Sequence, residues 1–531
     1  MPSRAQFALL VVLLMAGFFL RVHNPAIQAA FIDESRHIER GQIAYSLSTN
    51  PVEIFRGKLL LYYWLGLFQP TGPGALVVSR LAVAIAALLS HTATVAMART
   101  CFGRRAMLPA ALFIVALPYD VFYSRLALAD PLATALATLT VWQAVLLARH
   151  PTRRRGVIVG GLLGATTLAK LTTAALLAVP VMAIALLGTV PLEGWTRAAI
   201  DRWNAGTARR YGPALKAISA VYLAMWGVIG LLSLYSWRFG SGPFIFAFRL
   251  VGVRDQTGSK WRIKLDTFWD ILTHLVSAPM VALLVALVLV LLWKRRAATV
   301  YVLGWLALLW GPSMVFGIQP EARYMMLGGP PLAILFGGGM ILAGDWLADR
   351  WPAVPRRAVA AALVLIVVGA WGAGFALPFA HAAMTDPEAV ELPELDAYIF
   401  FTGPTNTWGF PEALDVAGQM SSGGDPVPVV GAFETVAHMH GYCEMFALYV
   451  PEALDWACVY RENADGAASP ESPAAWPELA DHLARHPAAT VIANALDPDS
   501  PPADPAGTWT PLHTIERMPG NVLTVWRVTA N

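Results

Sequence analysis

With 531 residues, 56% of them hydrophobic and 14% charged, and a mean hydropathy of +0.54, the chain is too apolar for a soluble enzyme. The formal charge of +3 conceals a partition: residues 381–531 hold 21 of the 35 Asp and Glu but 4 of the 38 Lys and Arg, so that stretch is −17 and the remainder +20. Two physically different domains follow, a membrane domain over residues 1–380 and an acidic soluble domain over 381–531.

Apolar stretches long enough, or nearly so, for the roughly 20 residues of a spanning helix are expected near 6–22, 77–98, 106–123, 129–148, 156–189, 217–237, 270–293, 298–317, 326–346 and 358–378. The stretch 156–189 is too long for one crossing and has Lys170 at its middle, so it reads as two short helices joined at an outer turn. The expectation is a polytopic α-helical protein of about eleven transmembrane helices with a C-terminal α/β domain. The short MPSR start resembles a signal peptide, but the run ends in Arg21 and His23 without a small-residue cleavage site, so the first helix is expected to stay.

Clusters of Lys and Arg mark the cytoplasmic side. They fall in every second loop: Arg99, Arg104 and Arg105; Arg149 and Arg153 to Arg155; residues 197–216; Lys294 to Arg296; and Arg350, Arg356 and Arg357. The amino terminus is then cytoplasmic and the acidic tail extracytoplasmic, in a cytoplasmic membrane of bacterial type.

The first outer loop runs from about residue 23 to 76 and begins with Asp33 and Glu34. An acidic pair beside a membrane helix is costly, and its usual uses are catalysis or ion handling. Ile38, Ala44, Tyr45 and Leu47 are placed to line one side of an interfacial helix, and LLLYYWLGLF at 59–68, with Tyr62 and Tyr63, is apolar but too short to cross. A second outer segment, 238–269, is rich in Arg and Lys and reads either as a headgroup-bound amphipathic stretch or as a cover over a phosphate-bearing lipid. Basic residues also stand in outer turns that the charge bias disfavours: Arg125 near Asp130, Lys170, and Arg323 beside Tyr324. Snorkelling accounts for any one of them. Together with Lys58 they describe carboxylates for base work and cations for an anion on one membrane face.

A sugar on a polyprenyl phosphate fits that description, with its tail in lipid, its phosphate at the interface and its anomeric carbon outside. Transfer to a hydroxyl needs a carboxylate to accept the proton and fixed positive charge for the departing phosphate. The sequence has no P-loop and no dinucleotide fingerprint in a suitable context, and nothing in it calls for nucleic acid.

In order and spacing, FIDESRHIERGQIAYSL, GKLLLYYWLGLF, SRLAVAIAALL, YSRLALADPLATAL, GLLGATTLAKLTTAALLAVP and PEARYMMLGGPPLAIL resemble the GT-C glycosyltransferases over roughly residues 1–345. The nearest in pattern are the protein O-mannosyltransferases of family 39 and the lipid A aminoarabinose transferases. The resemblance implies Asp33 as general base, with Glu34 orienting it or the acceptor, and Asp130 as the second acidic position. It implies Lys58, Arg323 and Lys170 at the donor phosphate; Arg125 is expected beside them, with Tyr62, Tyr63, Tyr324 and His37 as substrate-binding candidates. It also implies an inverting single displacement onto a lipid, glycan or protein acceptor. Where the family commonly has two prolines after GK, this chain has Leu59 and Leu60.

No cofactor is required by this chemistry, and a divalent metal is an open alternative, with Asp33, Glu34 and Asp130 as oxygen donors and His37 as a nitrogen donor. His37 alone also reads as a surface histidine of the interfacial helix.

In the tail, 397–401, 427–433, 489–495 and 521–528 read as strands, 411–420 and 477–486 as helices, and 463–476 as a loop. Cys443 and Cys458 form a disulfide if the tail lies in an oxidising compartment; otherwise they are two buried thiols. His438 and His440 form an HxH without an evident third ligand. Two other functions remain: a secondary transporter, disfavoured because the charged residues lie at helix ends and not at the midplane, and a non-catalytic GT-C-like assembly protein of envelope glycan synthesis.

Overall fold

The computed structural model describes residues 3–530 apart from 47, 49, 55–56, 189–204, 242–260, 317–320, 352, 404–408, 422–427, 435–441, 452–453, 462–484, 487, 495–506 and 519–520. The second expected helix of the tail, its loop and its HxH lie outside the described residues, as does most of the basic segment 238–269. The chain forms two compact units. The first comprises 1–27, 43–67 and 80–393, and the second 28–42, 68–79 and 394–531. The first unit ends at Pro393, and two pieces of the first outer loop belong to the unit that also contains residues 394–531.

The first unit is helical. Among the described residues, six helices are long and apolar enough to cross a membrane, and a bent pair makes seven. This is a polytopic membrane protein. Helices Arg4–Val22, Ala75–Phe102 and Ala129–Arg149 stand where the apolar stretches place them.

Other stretches are broken for identifiable reasons. The single span expected at 106–123 is a Met107–Val115 helix and a separate Pro118–Tyr123 turn. Proline pushes the residue before it out of the helical region, and Leu117 is extended at ψ 118°. The stretch 156–189 does break at Lys170, between helix Arg153–Ala169 and a 3-10 run over Leu171–Ala178 that leads into helix Val179–Leu187. The span expected at 270–293 is instead the second arm of a pair bent by 93°. Its amphipathic first arm, Trp261–Val276, ends at Ser277, whose φ of 71° turns the chain into helix Ala278–Lys294.

Helix Arg153–Ala169 packs on helix Ala205–Trp237 through Gly156, Gly160 and Gly164, a spacing of four that puts small residues on one stripe. A Cβ on Gly160 would stand 2.0 Å from the carbonyl oxygen of Val221, so the backbones meet closely there.

The second unit contains a five-stranded sheet in the order β2-β1-β3-β5-β4. β1 (Val429–Glu434) is parallel to β2 (Trp456–Arg461) and to β3 (Ala488–Asn494). β5 (Asn521–Ala530) is antiparallel to β3 and to β4 (Gly507–Met518). Val430, Val491, Trp509, Trp526 and Val528 form its buried face. Helix Phe410–Ser421 matches expectation. The strand expected at 397–401 does not form: Tyr398–Thr402 is a π-helical turn that buries Phe400 and Phe401 together. A five-residue apolar run has no period that separates the two outcomes.

Cys443 and Cys458 are joined in a disulfide that ties helix Tyr442–Ala447 to β2. Helix Ile32–Ile43 packs Ile38 into a cluster with Ala30, Ala75, Leu76 and Leu448. Ile38, expected on one side of an interfacial helix, is a core residue of this unit, 1% exposed.

Candidate functional site

In the first unit, five of the residues singled out from sequence belong to one group. Asp130 occupies the first turn of helix Ala129–Arg149, where the positive end of the helix dipole favours a carboxylate. Lys170, held extended at the break before Leu171, donates to Asp130 Oδ1, and both side chains are buried. The ammonium lies 4.1 Å from the centre of the Tyr324 ring, a cation–π contact in a setting that water barely reaches.

Arg323 flanks the same ring at 5.2 Å. Its Nε is 2.5 Å from Glu321 Oε2, and the Tyr324 hydroxyl donates to Glu321 Oε1 at 3.3 Å. Lys58 belongs to this group as well. Gly57, whose φ of 77° suits a residue without Cβ, accepts a 3.1 Å bond from the Leu171 amide, which fixes the GK segment beside the Lys170 break. Arg323 and Lys58 both act electrostatically on Lys170. Lys170 thus pairs with one buried carboxylate and shares the Tyr324 ring with Arg323, while Lys58 acts on it from a third segment. Leu59 and Leu60 begin a short helix, Leu59–Gly66, directly after Lys58. In it Tyr62 is fully buried, while Tyr63 is partly exposed, stacks edge-on to Tyr45 at 5.4 Å and accepts the Tyr45 hydroxyl on its carbonyl.

Arg125 is placed elsewhere. Its guanidinium donates to the carbonyls of Leu20 at 2.8 Å and Asn24 at 3.0 Å, clamping the end of the first helix, and its charged neighbours are Arg80 and Arg21.

In the second unit, Asp33 and Glu34 stand in the first turn of helix Ile32–Ile43. Glu34 is fully buried and its Oε2 accepts the Phe31 amide at 2.9 Å, so it caps the helix that carries Asp33. Asp33 is half-buried. His37, which also read as a surface histidine, is 1% exposed.

Asp130 is already neutralised by Lys170, and an oxygen of Glu34 is occupied by the Phe31 amide. Among the described residues no three His, Cys, Asp or Glu side chains gather as a metal would need.

One cluster escaped the sequence reading. Arg21, at the end of the first helix, donates to Asp120 Oδ2, to the carbonyl of Gly17 at 2.6 Å and to that of Val115 at 3.0 Å. His91 Nε2 contacts the same Asp120 oxygen at 2.5 Å, and all three side chains are buried. The available signal was three ionisable residues inside apolar stretches, which seldom occur in membranes without partners.

No family model matches the sequence, and no curated protein matches it. Among solved structures, the chain is similar to ArnT from Cupriavidus metallidurans in the apo state, with 18% identity, a TM-score of 0.55 and 98% of each chain covered. The chain shares the fold of that protein. The same protein bound to undecaprenyl phosphate matches with 16% identity, a TM-score of 0.53, and 99% of this chain and 98% of that one covered. The oligosaccharyltransferase of Archaeoglobus fulgidus in the apo form matches with 14% identity and a TM-score of 0.50, over 85% of this chain and 65% of that one. The sequence segments that carry the resemblance therefore lie in a chain with the fold of these ArnT structures.

Proposed function

We propose that this protein is a membrane glycosyltransferase that moves a sugar from a polyprenyl-phosphate donor to an acceptor hydroxyl at the outer face of a bacterial-type cytoplasmic membrane. The observation that carries the reading is the buried Lys170–Asp130 pair, with Lys170 and Arg323 both against the Tyr324 ring and Lys58 acting on Lys170, in a fold shared with a protein solved in complex with undecaprenyl phosphate. Desolvated, preorganised cations suit a group whose negative charge grows as the bond to the sugar breaks. Asp130 holds the Lys170 ammonium in place, and Arg323 presents a planar fork suited to phosphate oxygens.

In this mechanism the acceptor oxygen forms the new bond to the anomeric carbon as the carbon–phosphate-oxygen bond breaks, and the acceptor proton passes to Asp33. The leaving phosphate is a stable anion and needs no proton, so one displacement suffices and the anomeric configuration inverts. The role of Asp33 rests on its sequence pattern and on the helix cap supplied by Glu34. The donor half rests on the first unit alone. An extracytoplasmic second unit agrees with its disulfide, since such bonds persist in oxidising compartments.

The test is transfer from a lipid-linked sugar by purified protein. Asp33→Asn abolishes transfer while leaving donor binding intact, whereas Lys170→Gln and Arg323→Ala weaken donor binding. Unchanged turnover in Asp33→Asn would overturn the base assignment, and an unaltered donor affinity in both cation variants would overturn the reading as a whole.

A further inference from the structure

The first unit contains a cavity of about 570 Å³ between helices Arg4–Val22 and Ala129–Arg149, floored by Ala75–Phe102. Its walls are apolar along their length, with Leu10, Leu14, Val95 and Leu146 among them, and at one end stand Arg99 and Arg149. That volume lies in the range of small-molecule sites, but the lining is lipophilic at one end and cationic at the other.

The cationic end is built. Arg149 is held by a 2.6 Å bond from Nη2 to the carbonyl of Thr100, and the Trp142 indole donates to the Thr100 hydroxyl at 3.1 Å. Neither Arg99 nor Arg149 has a carboxylate partner among the described residues. Arg105, in the loop that follows helix Ala75–Phe102, pairs with Asp345 at 2.8 Å. Two exposed guanidinium groups thus stand uncompensated at the mouth of an apolar cleft between membrane-spanning helices. Positive charge beside the apolar phase attracts anionic headgroups.

We propose that this cleft binds an anionic diacyl phospholipid, with one acyl chain along the apolar walls and the phosphate on Arg99 and Arg149. The proposal is independent of the glycosyltransferase reading, since none of these residues belongs to the Lys170 cluster.

The experiment is native mass spectrometry of the purified full-length protein titrated with dioleoylphosphatidylglycerol and, separately, dioleoylphosphatidylcholine. Wild type is expected to retain the glycerol lipid in preference to the choline lipid. Arg99→Gln with Arg149→Gln lowers affinity for the glycerol lipid about thirty-fold, each charge near an anionic headgroup being worth roughly five-fold. Ala96→Phe, which fills the cleft and keeps both arginines, removes retention as well. Equal retention of the two lipids by wild type, or undiminished retention in Ala96→Phe, would overturn the proposal even if the double variant failed to fold. Displacement of the glycerol lipid by a lower concentration of undecaprenyl phosphate would also overturn it, because the cleft would then be a polyprenyl-phosphate site.

Discussion

Asp120→Leu should destabilise the first unit far more than Asp120→Leu combined with Arg21→Met. Asp120 is the carboxylate partner of a guanidinium that is fully buried, and it also accepts from His91 at 2.5 Å. Removing it leaves Arg21 with the Gly17 and Val115 carbonyls, which neutralise no charge, and leaves His91 Nε2 unpaired. His91 Nδ1 already has no partner among the described residues. An uncompensated buried charge costs roughly 3–5 kcal/mol, and the lost bond of a neutral imidazole adds about 1 kcal/mol. Together these give about 5 kcal/mol for the single variant.

The double variant removes both charges and replaces them with side chains of similar length, an exchange that is often close to neutral. About 1 kcal/mol should then remain, so adding Arg21→Met to Asp120→Leu recovers about 4 kcal/mol. Unfolding in mixed micelles, followed by the fluorescence of buried tryptophans such as Trp305 and Trp371, measures it. If Asp120→Leu lay within 1 kcal/mol of wild type, or if the double variant were less stable than the single, the triad would not be an ionic tie between the first helix and the Pro118–Tyr123 turn, and this reasoning would fail.

Gly160→Val should separate the Arg153–Ala169 and Ala205–Trp237 helices, seen as loss of folded protein on size exclusion, because its Cβ would enter the Val221 carbonyl. Cys443→Ser with Cys458→Ser should lower the stability of the second unit by about 3 kcal/mol, the loop-closure value for a 15-residue separation, as read by denaturant unfolding. Partial burial, and then the charge of Glu444, hold the Glu39 carboxyl above its ordinary range. The native state therefore binds that proton more tightly than the unfolded chain, and stability falls as pH rises from the ordinary carboxylate range through the raised value. Glu39→Gln should flatten that part of the pH–stability profile, and an unchanged profile would show that another group sets it. Arg323→Lys should restore part of the donor affinity lost in Arg323→Ala, a point charge replacing a fork; equal affinity in all three proteins would mean that Arg323 only pairs with Glu321.

Sequence pattern carried the first unit furthest where one helix equals one apolar run, as in Ala75–Phe102 and Ala129–Arg149. It failed where a single residue sets the direction. Pro118 divides one run, and Ser277, at φ 71°, turns another by 93°, yet hydropathy averaged over a window registers neither. Lys170 was legible because a lysine in the middle of a 34-residue apolar stretch has to be accommodated, and the helix does end there. Its carboxylate was legible as a residue but not as a partner, since Asp130 lies 40 positions away and only packing brings the two together.

The same limit explains why Arg125 and Arg21 exchanged importance. Sequence favoured Arg125 because it stands near Asp130 in a turn where cations are disfavoured, and it passed over Arg21 as the basic end of an apolar run. Tertiary structure inverts that weighting. Arg125 spends its donors on the Leu20 and Asn24 carbonyls, while Arg21 anchors a buried carboxylate 99 residues away. Both arginines act on the same stretch, Leu20 to Asn24 against Asp120 to Arg125, so the end of the first helix is fixed twice to the turn that precedes Asp130. A chain that holds Asp130 and Lys170 as a buried pair needs their supporting segments to be stiff. The two arginines supply that stiffness from outside the cluster, so substitutions at either one should reach the Lys170 site through position and not through charge.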